Sequence, residues 1–220
     1  MKNSIKQLLI AFTIVCVFSF NSYANSCGNT ALFALEDSTV EIHMKMKSGG
    51  YGKCTGIIIN DGVDSTGILT AQHCVENTDM IVVDRKYIVT SVYESKNIDV
   101  AYIIISNIIM RKTAIKISKS NIAIGETAYS LGWPKEYSMY NCGKVIASNK
   151  KTFVSNFSVI KGCSGSGVIN ARNELVGILW GGRTRNDGVG YVLSLTTNIR
   201  EIRKFLKSID YLKETSILVK

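Results

Sequence analysis

The chain has 220 residues, with 26 Lys and Arg against 17 Asp and Glu, and a net charge of +9. A hydrophobic content of 46% with 20% charged residues is that of a chain that folds around a core, which excludes a disordered or fibrous protein. Two histidines, and six cysteines without a C-x-x-C pair, form no recognisable zinc module, so neither a metal nor a cofactor is called for.

Lys2 and Lys6 open a basic N-terminus, and Leu8 to Phe20 carries no charge. Ser22-Tyr23-Ala24 offers small residues where a signal peptidase would cut. Residues 1–24 therefore read as a signal peptide, and the folded chain as 25–220. The apolar run is too short for a membrane span, so a secreted or periplasmic protein without stable membrane insertion is expected. Removing the two lysines lowers the net charge to +7 (9 − 2). Five cysteines remain: Cys27, Cys54, Cys74, Cys142 and Cys163. In an oxidising compartment they predict two disulfides and one orphan.

Short β-rich runs punctuated by Gly, Asn, Asp and Ser follow. They are Val40–Met46, Gly56–Ile59, Gly67–Thr70, Met80–Val83, Tyr87–Val92, Val100–Ile105, Glu126–Leu131, Lys144–Ala147, Val168–Ile169, Leu175–Trp180 and Gly190–Leu193. This spacing predicts an antiparallel all-β sandwich or barrel. Ser118–Ile124 reads as the connection between two halves, about 38–117 and 122–197. The one predicted helix is terminal, about 197–209, with Ile199, Ile202, Phe205 and Leu206 at helical spacing. Arg200, Arg203, Lys204 and Lys207 lie between them and read as its solvated face. Aromatic residues are not interleaved there, so no nucleic-acid partner is expected.

Three stretches carry chemistry. In Cys54-Thr-Gly-Ile-Ile-Ile and Gly67-Ile-Leu-Thr-Ala-Gln-His73-Cys74, two strands flank a polar turn and the second ends in a histidine. A Cys54–Cys74 bridge would staple this hairpin and hold His73 for general-base work. In Asn97-Ile-Asp99-Val-Ala-Tyr-Ile-Ile-Ile a carboxylate heads a strongly apolar strand. Burial there is costly unless the carboxylate is hydrogen-bonded, and a histidine ring N–H is a suitable donor. Asp79 and Asp84 lack that setting. Gly162-Cys163-Ser164-Gly165-Ser166-Gly167 can turn sharply, expose a serine and aim two backbone N–H groups at one point. Taken singly, each stretch also reads as ordinary structure: a core histidine, a turn aspartate, a Gly-rich loop.

Thr-Ala-Gln-His73-Cys74 resembles the Thr-Ala-Ala-His-Cys signature of trypsin-like (chymotrypsin-fold) serine proteases. Cys54-x-Gly resembles the partner strand of that family, and Asp99-Val-Ala-x-Ile its Asp-Ile-Ala-x-Leu segment. The order His73, Asp99, Ser164 is that of this fold and differs from the orders in subtilisins and α/β-hydrolases. The resemblance implies two antiparallel β-barrels with a C-terminal helix. It also implies an exported serine endopeptidase that needs no cofactor, with Ser164 as nucleophile, His73 as base and Asp99 as orienting group. The oxyanion hole would be the backbone N–H groups of Gly162 and Ser164. The partners expected are protein or peptide substrates.

Ser164-Gly-Ser-Gly-Val-Ile-Asn and Trp180-Gly-Gly further resemble the bacterial glutamyl endopeptidase and exfoliative-toxin branch. Gly132-Trp-Pro134 is similar to a turn of that branch and of the Deg proteases. With no PDZ-like extension in the sequence, a Deg protease proper is not expected. Leu179 stands where glutamyl endopeptidases carry a histidine, and Val159 where they carry a threonine. An apolar primary pocket is therefore expected, walled by Val159, Ile160, Leu179, Trp180, Gly181 and Gly182. Cys163 replaces an aspartate that receives the freed N-terminus in trypsin, so activation of that kind is not expected. Ser164 occupies the nucleophile position, and Cys163 is expected to turn away and bridge to Cys142. Two other functions are open to this sequence: a non-catalytic binding protein of the same fold, and an esterase-type hydrolase on the same residues.

Overall fold

The computed structural model describes residues 27–106, 112–184 and 192–209. The expected signal peptide, and residues 190–191 of the expected strand Gly190–Leu193, lie outside the described residues. Helix α1 (Asn29–Ser38) comes first. Seven strands make the first sheet: β1 (Thr39–Met46), β2 (Tyr51–Asp61), β3 (Ser65–Thr70), β4 (Thr78–Val83), β5 (Tyr87–Ile88), β6 (Ser91–Glu94) and β7 (Ala101–Ser106). Seven more make the second: β8 (Lys116–Ile117), β9 (Thr127–Gly132), β10 (Met139–Ser148), β11 (Thr152–Ser155), β12 (Gly167–Ile169), β13 (Glu174–Thr184) and β14 (Val192–Asn198). Helix α2 (Ile199–Ser208) closes the described chain. Among the described residues, no helix is long and apolar enough to cross a membrane.

The first sheet runs β5-β4-β1-β2-β3-β7-β6 and forms a half-barrel. The second runs β12-β9-β10-β11-β14-β13, and a β12–β13 pairing closes it into a six-stranded barrel. Strand β8 joins β13 from outside, in parallel. The all-β architecture with two barrel-like sheets and a C-terminal helix is as the sequence predicted.

Three apolar clusters explain why the central strands read as unbroken hydrophobic runs. Ile58, Ile68, Ala101, Ile103 and Ile105 face the inside of the first sheet. Their neighbours Ile57, Leu69, Val100 and Tyr102 face a second cluster, shared with Tyr129, Leu131, Ile169 and Ile178 of the second barrel. Both faces of β2, β3 and β7 are thus buried, and the usual alternation with polar residues disappears. The third cluster fills the second barrel around Phe153, Val168 and Val176. Helix α2 lays Ile199, Ile202, Phe205 and Leu206 on the shared cluster.

The structure corrects the expected cysteine pairing. Cys142 is bonded to Cys27, and Cys163 is a free, buried thiol. The reason is the alternation of β10. Cys142 points outward to the shared cluster, whereas Cys163 lies within the second barrel beside Val145, Phe153 and Val168. The two sulfurs are on opposite sides of the barrel wall. The Cys54–Cys74 bridge is present.

The Cys27–Cys142 bridge ties the segment before α1 to the second barrel across a sequence separation of 115. Replacing both cysteines with serine is expected to lower the unfolding free energy by about 2–5 kcal/mol, because so long a loop is freed in the unfolded chain. Urea denaturation of the variant beside the oxidised protein measures it. A shift below about 0.5 kcal/mol would show that the bridge contributes little to stability.

Candidate active site

Strand β3 ends at Thr70, and Ala71 leads into a single 3₁₀ turn, Gln72–Cys74. The turn presents His73 at the edge of the first sheet, and the Cys54–Cys74 bridge anchors it to β2. Asp99 lies two residues before β7, the strand that pairs with β3. That pairing sets histidine and aspartate side by side. His73 Nδ1 is 2.7 Å from Asp99 Oδ2, and the His73 backbone N–H donates to Asp99 Oδ1 at 3.0 Å.

The electrostatics fix the ring. Burial pushes the Asp99 carboxyl up, but hydrogen bonds from the His73 ring and backbone outweigh it and hold the carboxyl below its ordinary 3.8. Asp99 is therefore ionised at neutral pH and can only accept, so His73 Nδ1 carries the proton and Nε2 is left as the base. The same hydrogen bond raises the His73 ring above its ordinary 6.5; burial opposes the rise, and the charges of Asp99 and Glu76 add to it. The ring nitrogens of His73 also lie near the sulfurs of Cys54 and Cys74, one of them within 4.8 Å. Those sulfurs are bonded to each other, so they offer no thiolate and the group does not read as a metal site.

The Ser164 loop approaches from the second barrel. Gly162 and Gly165 both have left-handed backbone, at φ +100° and +87°. A Cβ on Gly162 would stand 2.6 Å from Pro134 Cα, and one on Gly165 would stand 2.0 Å from the Thr55 carbonyl oxygen. Conformation and crowding both demand glycine at these two positions. The loop packs against the histidine segment: the Thr55 N–H donates to the Ser164 carbonyl at 2.8 Å, and Cys74 Sγ lies 3.8 Å from the same oxygen.

Hydrogen bonds within the loop are uneven. The N–H of Cys163 is taken by the Ile160 carbonyl and that of Gly165 by the Leu179 carbonyl. Among the described residues, no acceptor takes the N–H of Gly162 or of Ser164. Ser164 lines a cleft of about 630 Å³ with Val159, Ile160, Lys161, Leu179, Gly181 and Gly182.

Five of the six expected pocket residues line this cleft, and Trp180 does not. The register of β13 against β14 shifts at Trp180, between Leu179 and Gly181; Leu179, Gly181 and Gly182 line the cleft, while Trp180 packs against the cluster of the first sheet. Sequence reasoning missed Lys161, whose place directly before Gly162 was the available signal. It also missed Thr55 and Pro134, which hold the loop from the side.

The model of the trypsin-like peptidase domain matches residues 54–178, more than half of the chain. No curated protein matches it in sequence. Among solved structures, the Rv3671c protease from M. tuberculosis in its active form aligns with a TM-score of 0.70 at 17% identity, over 82% of this chain and 84% of that one. A serine endoprotease from Yersinia pestis gives 0.66 at 19% identity, over 82% and 65%. The HtrA-type protease AlgW, solved with a tripeptide, gives 0.66 at 16%, over 81% and 62%. This chain thus spans less than two thirds of the last two, and at such identities the likeness speaks for the fold alone.

Proposed function

The chain belongs to the trypsin-like peptidase family, and from that premise we propose that it is an exported serine endopeptidase acting through His73, Asp99 and Ser164. The observation that carries this reading is the Asp99–His73 pair at 2.7 Å, beside a glycine-framed serine loop whose Gly162 and Ser164 N–H groups meet no acceptor among the described residues. Ser164 Oγ attacks the scissile carbonyl while His73 Nε2 takes its proton. The Gly162 and Ser164 N–H groups receive the oxyanion. His73 then gives the proton to the leaving amine as the C–N bond breaks, and water, activated by the same nitrogen, releases the acyl group from Ser164.

The test is labelling of the purified protein with a fluorophosphonate probe. Labelling at Ser164, absent in Ser164→Ala, supports the peptidase. Well-folded protein that takes no label is a binding protein that has kept the fold. Turnover of esters without turnover of any peptide would favour an esterase.

We place the chain in the glutamyl endopeptidase and exfoliative-toxin branch on its Ser164–Asn170 and Trp180-Gly-Gly segments. Its pocket is its own. Val159, Ile160 and Leu179 give apolar walls, and Lys161 is the charged residue among those lining the cleft. Peptides with leucine or valine before the scissile bond are expected to be cut at least about tenfold faster than those with lysine or arginine, which would meet a like charge and no carboxylate. A peptide library measures this. A preference for lysine or arginine would overturn the pocket assignment, and a dominant preference for glutamate would return the chain to its branch's usual specificity.

A further inference from the structure

We infer that the hydroxyl of Thr55 is a positioning group for the Ser164 loop, holding the Gly162 peptide in the orientation that the oxyanion site requires. The inference rests on the peptidase reading for its catalytic consequence, but the contact itself is structural. Thr55 lies on β2 in the other half of the molecule and is completely buried. All its polar groups are used. Its N–H donates to the Ser164 carbonyl and its own carbonyl accepts from Thr70 Oγ1, both at 2.8 Å. Its hydroxyl donates to the Gly162 carbonyl at 2.8 Å and accepts the Trp133 N–H at 2.9 Å.

Two of these bonds end on carbonyls that flank Cys163. The side chain of Cys163 lies in the second barrel, and burial pushes its thiol above the usual range. A neutral thiol cannot anchor the loop through an ion pair, so the anchoring falls to hydrogen bonds on the backbone. Gly162 most needs an anchor. Its φ of +100° is open to glycine, and the same freedom would let its peptide swing. The Thr55 hydroxyl fixes the carbonyl of the 162–163 peptide, while the Ile160 carbonyl takes the N–H of that same peptide. With this plane pinned on both edges, the carbonyl side of Gly162 is fixed, and from that fixed base its φ of +100° sets the direction of its own N–H.

The hydroxyl also controls a second support. By accepting the Trp133 N–H it holds the turn that places Pro134 against Gly162, and Lys53 Nζ bonds the Lys135 carbonyl in the same turn. Residues 53 and 55 lie on one face of β2, so one strand of the first sheet clamps both the loop and the turn behind it.

The experiment compares Thr55→Ser, Thr55→Ala and Thr55→Val. Serine and alanine lose the same methyl group and differ only in the hydroxyl; valine keeps the shape and loses the hydroxyl. Serine is expected to keep kcat within about threefold. Alanine and valine are expected to lose about 10- to 100-fold in kcat with KM within about twofold, somewhat less than the loss of an oxyanion donor itself. Amide hydrogen exchange over residues 160–166 should quicken in alanine and valine but not in serine. If valine does not fold, the serine and alanine pair decides. Alanine matching serine in both kcat and exchange overturns the inference. Wild-type protein that takes no fluorophosphonate label would defeat the peptidase reading instead, and the exchange comparison would still judge the hold of Thr55 on the loop.

Discussion

Ser164→Ala is expected to lower kcat on a peptide substrate by about 10⁶-fold while leaving the fold intact. The scale follows from what the hydroxyl does and from what it does not do. The loop is tied down through the backbone: the Ser164 carbonyl accepts from Thr55, and the Gly165 N–H donates to Leu179. Losing the side-chain oxygen leaves those bonds in place, so the melting temperature should move by no more than a degree or two. Catalysis loses its covalent path. What is left is binding in the cleft and the Gly162 and Ser164 N–H groups, worth about 10³–10⁴ over water in sites of this type. The measurement is single-turnover cleavage of a chromogenic peptide, with thermal unfolding as control. A loss of less than tenfold in a folded variant would place the chemistry elsewhere, and the remaining inferences about this cleft would fall with it.

The parts of the molecule that were legible in the sequence are those where local chemistry and burial agree. His73, Asp99 and Ser164 each lie at or near the boundary of a turn and an apolar strand, and the strands are apolar because both their faces are covered. Strand β14 was expected to end at Leu193 but runs to Asn198. Its residues Ser194, Thr196, Thr197 and Asn198 are buried and polar, so a core strand reads as a loop. Helix α1 was missed for a related reason. It buries only Ala31, Leu35 and Ser38 and leaves Phe33 exposed, so its pattern is faint and its position is set by packing on the second barrel and by the Cys27 bridge. The Cys142 misreading is one of strand phase, whereas Trp180 sits where the register of β13 shifts. A residue type says that a side chain will be buried, whereas the phase of its strand says on which side of the barrel wall. Thr55 was hidden because its hydroxyl meets partners 78 and 107 residues away, a distance that sequence spacing does not reveal.

Asp99→Asn is expected to cost about 10⁴-fold in kcat near neutral pH and to move the pH profile toward acid. In the native site Asp99 only accepts, so His73 holds its proton on Nδ1 and keeps Nε2 unprotonated. An asparagine can turn its amide N–H toward Nδ1, which then must accept. The ring proton moves to Nε2, and the base is lost without any change of shape. The pH effect has a definite sign. The wild-type ring titrates above 6.5 because the Asp99 hydrogen bond and charge favour the imidazolium. Activity requires the neutral ring, so kcat/KM should rise through a midpoint above 6.5. Removing the carboxylate removes the main cause of the rise while burial still opposes charge, so the midpoint should fall. Stability follows the same linkage. The raised histidine contributes stability that is present below 6.5 and lost as pH climbs through its folded value. The lowered aspartate contributes stability that is present above 3.8 and lost as pH drops through its own folded value. The pair therefore stabilises most between those limits, and the difference in urea midpoint between wild type and variant should be largest there and shrink on either side. A variant that keeps the wild-type midpoint and loses less than tenfold in kcat would show that Asp99 neither orients His73 nor sets its charge.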